Sequence, residues 1–227
     1  MFRMAKKNAM TTTNGWIEAI CGPMFAGKTD ELIRKIKRYE YADVKSLVFS
    51  PATDTRSAQE IINSRDGRRI GSIKIKKAFE IYDYVLLHKP QLVGIDEVQF
   101  FDDSIVEVIQ TLADNQINVI VAGLDRDFRG EPFGPIPKIL GIAESVIRLT
   151  AICSECGAEA SRSQRLIDNQ PADYNCETIL IGDTESYAPR CRHHHKVPNR
   201  PINDQTKNFK RALKNNFDKI VEQSSKD

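Results

Sequence analysis

Apolar residues gather in five short runs, at positions 16–21, 46–50, 92–96, 119–123 and 146–152. Such runs do not alternate with polar residues, so they predict strands buried on both faces, as in a parallel sheet. The stretches between them carry a different period. Over residues 31–41, Leu32, Ile36 and Tyr39 fall on one side, while Arg34, Lys35, Lys37 and Arg38 fall mostly elsewhere. Over 104–114, Ile105, Val108, Ile109 and Leu112 repeat the pattern, with Ser104 placed as the N-cap. Strands alternating with amphipathic helices predict an α/β domain with a mainly parallel sheet across residues 16–150.

The pattern changes after Ile152, where cysteine, histidine and turn formers replace the apolar runs. Residues 151–198 therefore read as a small second unit. Beyond Pro198 and Pro201, Phe209, Leu213, Phe217, Ile220 and Val221 recur at roughly helical spacing. The tail, 199–227, is expected to be an amphipathic helix packed on the body or on another subunit, or else frayed. Residues 1–15 form an N-terminal extension.

Composition narrows the class. The chain has 227 residues, 41% hydrophobic and 28% charged, which is ordinary for a globular protein and argues against wholesale disorder. The net charge is +2, but residues 196–227 hold eight Lys/Arg against four Asp/Glu, leaving the body slightly acidic. That is not the footprint of a strongly basic nucleic-acid binder. No run is long enough to span a membrane and residues 1–14 lack an apolar signal core, so a cytoplasmic protein is expected, with neither membrane nor nucleic acid as partner.

Gly22-Pro23-Met24-Phe25-Ala26-Gly27-Lys28-Thr29 fits the P-loop pattern, and it lies between an apolar strand and an amphipathic helix. Its glycines let backbone N–H groups curl around an anion at a helix N-terminus. In such a loop Lys28 reaches the β- and γ-phosphates of ATP, and the Thr29 hydroxyl ligates Mg²⁺. The chemistry needs a carboxylate at the end of a neighbouring strand, and Asp96 closes the run 92–96. Glu97 follows at the strand tip. It reads either as a solvated acid or, beside Asp96, as a general base or nucleophile-positioning group.

Five cysteines, four of them in the last third, do not form the even framework of a disulfide scaffold. Cys153-x-x-Cys156 and Cys191-x-x-His194 are two chelating pairs. They predict one four-coordinate structural Zn²⁺ that staples the ends of the excursion 158–190. His193 and His195 flank His194 and leave the fourth ligand open, and Cys176 is a rival without a partner.

With these motifs stand Ile95-Asp96-Glu97-Val98-Gln99-Phe100-Phe101, the stretch Gly123-Leu124-Asp125-Arg126-Asp127-Phe128-Arg129-Gly130-Glu131-Pro132-Phe133, and Gly182-x-x-x-x-Tyr187. Five motifs in this order closely resemble the thymidine kinase family of the cytosolic, zinc-containing type, from about Trp16 to His194. The resemblance implies a RecA-like P-loop α/β domain joined to a small zinc-binding lasso domain. It implies transfer of the γ-phosphate of ATP to the 5′-hydroxyl of thymidine, with deoxyuridine as a second acceptor, in nucleotide salvage for DNA synthesis.

By the same resemblance Glu97 is the catalytic base. Asp54, Arg56, Asp96 and Gln99 join the P-loop residues at ATP. Phe101, Phe128, Phe133 and Tyr187 wall the base pocket, and Met24 and Leu124 lie near the 5-methyl group. The main chain at Ile179, Leu180, Ile181 and Gly182 pairs with the thymine edge. Arg165 reads either as a phosphate-facing residue or as a surface salt bridge. A homotetramer and feedback inhibition by dTTP are implied on the same basis alone. The rival reading is a RecA-like, nucleic-acid-dependent ATPase, which would share the P-loop, Asp96, Glu97 and even a zinc knuckle.

Overall fold

The structure is a computed structural model, and it describes residues 15–52, 61–63, 69–178 and 185–224. The first apolar run forms β1 (Ile17–Cys21), and the P-loop leads from it into α1 (Lys28–Glu40). β2 (Ser46–Pro51) follows, then a small antiparallel pair, β3 (Ile61–Asn63) and β4 (Arg69–Gly71). Next come β5 (Ile73–Ile75), α2 (Glu80–His88) and β6 (Leu92–Ile95). After a 3₁₀ turn at Val98–Phe100 the chain builds α3 (Ser104–Asp114), β7 (Asn118–Gly123), α4 (Ile136–Ile142) and β8 (Ser145–Arg148).

These strands make one six-stranded sheet in the order β5-β2-β6-β7-β1-β8, and every pairing in it is parallel. The apolar runs of β1, β2, β6 and β7 are explained by cover on both faces, whereas the edge strand β8 alternates half-buried and exposed residues. On one face Leu32, Ile33 and Ile36 of α1 pack onto Ile20, Val48, Leu92 and Ile120. On the other, Ile81 of α2, Ile105, Val108 and Ile109 of α3 and Ile139 of α4 pack onto Phe49, Val93, Ile95 and Val121. A side chain at Gly94 would bring its Cβ to 2.6 Å from Ile36 Cδ1, so glycine here sets how closely α1 lies on the sheet. This is the expected α/β architecture.

Three details depart from expectation. The run 146–152 is not one strand: it breaks after Arg148, and Ala151–Ile152 becomes β9, paired with β10 (Glu159–Ala160) in a separate two-stranded sheet. Ser104 is the first residue of α3 and not its cap. Asp102 Oδ1 accepts both the Ser104 N–H and its hydroxyl, so the capping oxygen comes from two residues upstream. Helices α2 and α4 have no clear counterpart in the sequence pattern. The sequence of α2 carries Leu86 and Leu87 on its exposed side, which blurs its helical period, and α4 has only seven residues.

Past β10 the chain forms a three-stranded antiparallel sheet of β12 (Gln170–Pro171), β11 (Arg162–Ile167) and β13 (Glu185–Arg190). The tail forms α5 (Asp204–Ser224), whose Phe209 and Leu213 are exposed. Among the described residues, no helix is long and apolar enough to cross a membrane.

Candidate active site and metal centre

The P-loop turns at the C-terminal end of β1, next to β7, with β6 one strand further on. This places the phosphate turn and Asp96 at one end of one parallel sheet, where ligands of such sheets gather. Gly22 has φ 149°, and a Cβ on it would stand 2.3 Å from the Leu149 carbonyl oxygen. Gly27, at φ 76°, caps α1 by its backbone alone, and Glu31 N–H returns to the Gly27 carbonyl at 3.0 Å. Phe25 holds φ 68°, a left-handed geometry unusual for an aromatic residue and in keeping with a turn shaped by its ligand. Lys28 Nζ donates to the Pro23 carbonyl at 2.8 Å, folded over the loop it serves.

Thr29 Oγ1 donates to Asp96 Oδ2 at 3.0 Å. Two oxygens in adjacent positions around an octahedral Mg²⁺ stand about 3.0 Å apart, so this hydroxyl and carboxylate fit that ion. Asp96 is buried, and burial, reinforced by the Glu97 charge beside it, pushes its carboxyl up to about 7. A buried carboxyl that resists ionising alone is a carboxyl that welcomes a cation.

Glu97 occupies φ 50°, ψ 40°, at the point where β6 gives way to the 3₁₀ turn. A non-glycine residue in this region is strained by about 1–3 kcal/mol. Gln99 offsets the strain by holding the side chain. Its Oε1 accepts the Leu124 N–H at 3.0 Å, which turns Nε2 towards Glu97 Oε2, 2.5 Å away. The resemblance assigns Gln99 to ATP. In the structure it is 2% exposed, and both ends of its amide are taken up by Glu97 and by the chain leaving β7.

The aromatic candidates come from three segments. Phe101 and Phe128 are buried, and Phe133 is half-buried, with its ring edge-on to Phe100 at 5.8 Å. Tyr187 on β13 is the cross-strand partner of Arg165 on β11. Arg165 is fully buried, lies 5.1 Å from the Phe128 ring centroid and donates to the Glu177 carbonyl at 2.5 Å. It is therefore not a surface salt bridge. Met24 N–H donates to Ser163 Oγ at 2.9 Å, joining the P-loop directly to β11. Leu124 is half-buried where the chain leaves β7. Asp54, Arg56, Ile179, Leu180, Ile181 and Gly182 lie outside the described residues.

Two further residues, Ser163 and Arg129, are brought to this region by the fold. Ser163 carries no local signal, because its contact with Met24 spans 139 positions. Arg129 stands between Phe128 and Gly130 in one of the motifs, but its partners Tyr174, Cys176 and Thr178 lie 45 to 49 positions further on.

Cys153, Cys156, Cys191 and His194 bring four ligand atoms within 4.8 Å of one another. Cys156 Sγ stands 3.9 Å from Cys191 Sγ, and His194 Nδ1 stands 3.4 Å from Cys191 Sγ and 3.8 Å from Cys153 Sγ. Sulfurs on a tetrahedral zinc lie about 3.8 Å apart, so the set fits a four-coordinate metal. Burial opposes charge on Cys153, yet the N–H groups of Cys191, Glu155 and Cys156 outweigh it and bring the thiol down to about 6. His195 turns away to the Phe128 carbonyl, with Nε2 at 2.8 Å. Cys176 is outside the cluster, and its carbonyl accepts from Arg129.

A phosphate turn at a helix N-terminus and two successive carboxylates on a nearby strand end define a P-loop α/β protein built for nucleotide chemistry. The thymidine kinase family model matches residues 15–195. A thymidine kinase of Ureaplasma parvum serovar 3 is 53% identical over 217 residues, covering 93% of this chain and 97% of the relative. One of Ureaplasma urealyticum serovar 10 is 54% identical over the same coverage. The chain belongs to the thymidine kinase family.

Proposed function

We infer that this chain is a thymidine kinase, moving the γ-phosphate of ATP to the 5′-hydroxyl of thymidine and, as a second acceptor, deoxyuridine. The observation that carries the reading is the pair Asp96–Glu97 at the end of β6: one carboxylate bonded to the P-loop threonine, the other held by Gln99. A single acid at that position would serve nucleotide binding alone. The second acid, turned by a strained backbone and fixed by an amide, suits the alignment of an attacking oxygen, and the thymidine kinase family makes that oxygen a nucleoside hydroxyl in place of water.

In this reading the P-loop N–H groups and Lys28 bind the ATP phosphates, and Thr29 and Asp96 hold Mg²⁺. The ion, when bound, offsets charge on the phosphates. Glu97 accepts the 5′-hydroxyl proton and aligns its oxygen with the γ-phosphorus. Alignment is the larger part of that work, since the transition state is loose and little proton removal is needed early. Gln99 acts as positioning residue for Glu97. Asp54 and Arg56 are assigned to the phosphates.

Phe101, Phe128, Phe133 and Tyr187 are proposed as the nucleoside walls, with Met24 and Leu124 at the methyl group and 179–182 at the thymine edge. Thymine, flat and partly apolar, suits such walls. The Cys153, Cys156, Cys191 and His194 set is assigned to one structural Zn²⁺, with residues 151–198 as its lasso unit after the P-loop domain 16–150. A homotetramer, cytoplasmic location and inhibition by dTTP complete the proposal. The nucleic-acid-dependent ATPase reading is set aside by the family.

The test is ATP consumption with thymidine, other nucleosides and single-stranded DNA offered separately. Thymidine-dependent ADP and dTMP formation is expected. Stimulation by DNA and not by thymidine would overturn the reading.

A further inference from the structure

Arg129 lies on the turn after β7 and takes no part in the steps above. Its Nε donates to the Tyr174 carbonyl at 2.7 Å, its Nη1 to Thr178 Oγ1 at 2.6 Å and its Nη2 to the Cys176 carbonyl at 2.5 Å. The guanidinium carbon is 4.8 Å from the Phe128 ring centroid and 5.3 Å from that of Tyr174. Asp127 anchors this fork from behind. Its Oδ2 meets Arg129 Nη1 at 3.1 Å, and its Oδ1 accepts the N–H groups of Arg129 and Glu131 at 2.9 and 3.0 Å. Tyr174 adds a second tie, its hydroxyl donating to Glu131 Oε1 at 3.0 Å.

A planar, always-charged fork fixes its partners in direction as well as distance, and stacking between two rings fixes the fork itself. All three outward acceptors belong to one segment, 174–178, and the ring beneath belongs to a proposed pocket wall. Arg165 bonds the same segment through the Glu177 carbonyl, and also lies over Phe128. Phe128 and residues 174–178 are thus held to one another through guanidinium groups.

We propose that Arg129 is a positioning residue for the nucleoside acceptor, setting the spacing between Phe128 and the 174–178 segment; this rests on the assignment of Phe128 to the nucleoside pocket. ATP meets the P-loop through other residues, so the two substrates separate the effects. A lysine supplies charge without the fork and satisfies fewer of the acceptors.

The experiment is steady-state kinetics, with each substrate varied in turn, on zinc-loaded wild type, Arg129→Lys, Arg129→Ala and Thr178→Val. For both Arg129 variants the thymidine KM rises about tenfold or more, while kcat and the ATP KM stay within about threefold. Thr178→Val, losing one bond, raises the thymidine KM about threefold with the melting temperature kept. An unchanged thymidine KM overturns the proposal. So does an equal loss in both substrates' kcat/KM accompanied by a lowered melting temperature, which marks Arg129 as a general structural residue. If Arg129→Ala does not fold, Arg129→Lys and Thr178→Val decide alone. A wild type inactive on thymidine sinks the functional reading, whereas an active wild type with unsplit variants sinks only this one.

Discussion

Gln99 Nε2 stands 2.5 Å from Glu97 Oε2, while its Oε1 accepts the Leu124 N–H. The amide therefore ties the acid after β6 to the chain leaving β7, across two adjacent strands. Glu97 is thus anchored to a second strand end besides its own, which restrains it more than a loose loop would.

Glu97→Gln is expected to lower kcat by about 10²–10⁴-fold and leave the thymidine KM nearly unchanged, since the lost interaction belongs to the transition state. Gln99→Leu keeps Glu97 but removes the amide that aims it, so kcat falls by about tenfold. Steady-state kinetics checks both. A Glu97→Gln enzyme with wild-type kcat would remove Glu97 from the reaction.

The Asp96 carboxyl gives a stability signature. In the folded chain it titrates at about 7, pushed up first by burial and then by Glu97. In the unfolded chain an aspartate titrates at about 3.9. Between those values the native state holds a proton that the unfolded chain has released, so stability falls as pH rises through this window, by a few kcal/mol at most in order of magnitude. Below about pH 4 both states are protonated and the penalty vanishes. Without metal or nucleotide, Asp96→Asn should melt above wild type at about pH 8, and the gap should close at about pH 4. Mg²⁺ with ATP should narrow the gap at the higher pH by stabilising wild type. Parallel melting curves across the range would contradict the assignment.

Metal removal acts on a different part of the chain. Cys153 N–H bonds to the Ala158 carbonyl and Ser154 N–H to the Pro189 carbonyl, so the ligand turn is tied to both ends of the excursion. Elemental analysis is expected to find one zinc per chain. Chelation or Cys153→Ser should loosen β11 and β13, read as faster amide exchange there while the six-stranded sheet stays protected. Uniform loss of protection across the sheet would mean that the metal supports the whole fold.

Legibility in the sequence followed the range of the interaction. The β1–loop–α1 unit and the strand ending in Asp96 could be read because each is local: period, glycines and a charge at a strand end. The two pairs, His194 included, were legible for the same reason, and the geometry selects His194 over its neighbours His193 and His195. The Met24–Ser163 bond and the burial of Arg165 could not be read, since both depend on β11 docking against the P-loop and Phe128. The break after Arg148 was hidden because Leu149, Ala151 and Ile152 carry apolar character past it, so 146–152 reads as one segment although it serves two different sheets. Gln99 was visible through its motif, but its partner Leu124 lies 25 positions on, and only the β6–β7 pairing brings them together.

Gly22 offers the sharpest test of the phosphate turn. Its φ of 149° is one that side chains rarely adopt, and a Cβ there would meet the Leu149 carbonyl oxygen at 2.3 Å. That oxygen is backbone, in the chain just past β8, so it cannot swing aside as a side chain would. Gly22→Ala must therefore either displace the 148–149 segment or reshape the loop, at a cost of about 3 kcal/mol. Reshaping turns the N–H groups off the phosphates, so ATP binding should weaken by at least about tenfold, and by more than thymidine binding, which meets this loop only at Met24. Gly71→Ala is the control, because a Cβ there meets nothing within 4 Å. Calorimetric titration with each substrate and thermal melts of both variants decide the matter. A Gly22→Ala enzyme with native melting and native ATP affinity would show that the close approach to Leu149 does not shape this turn.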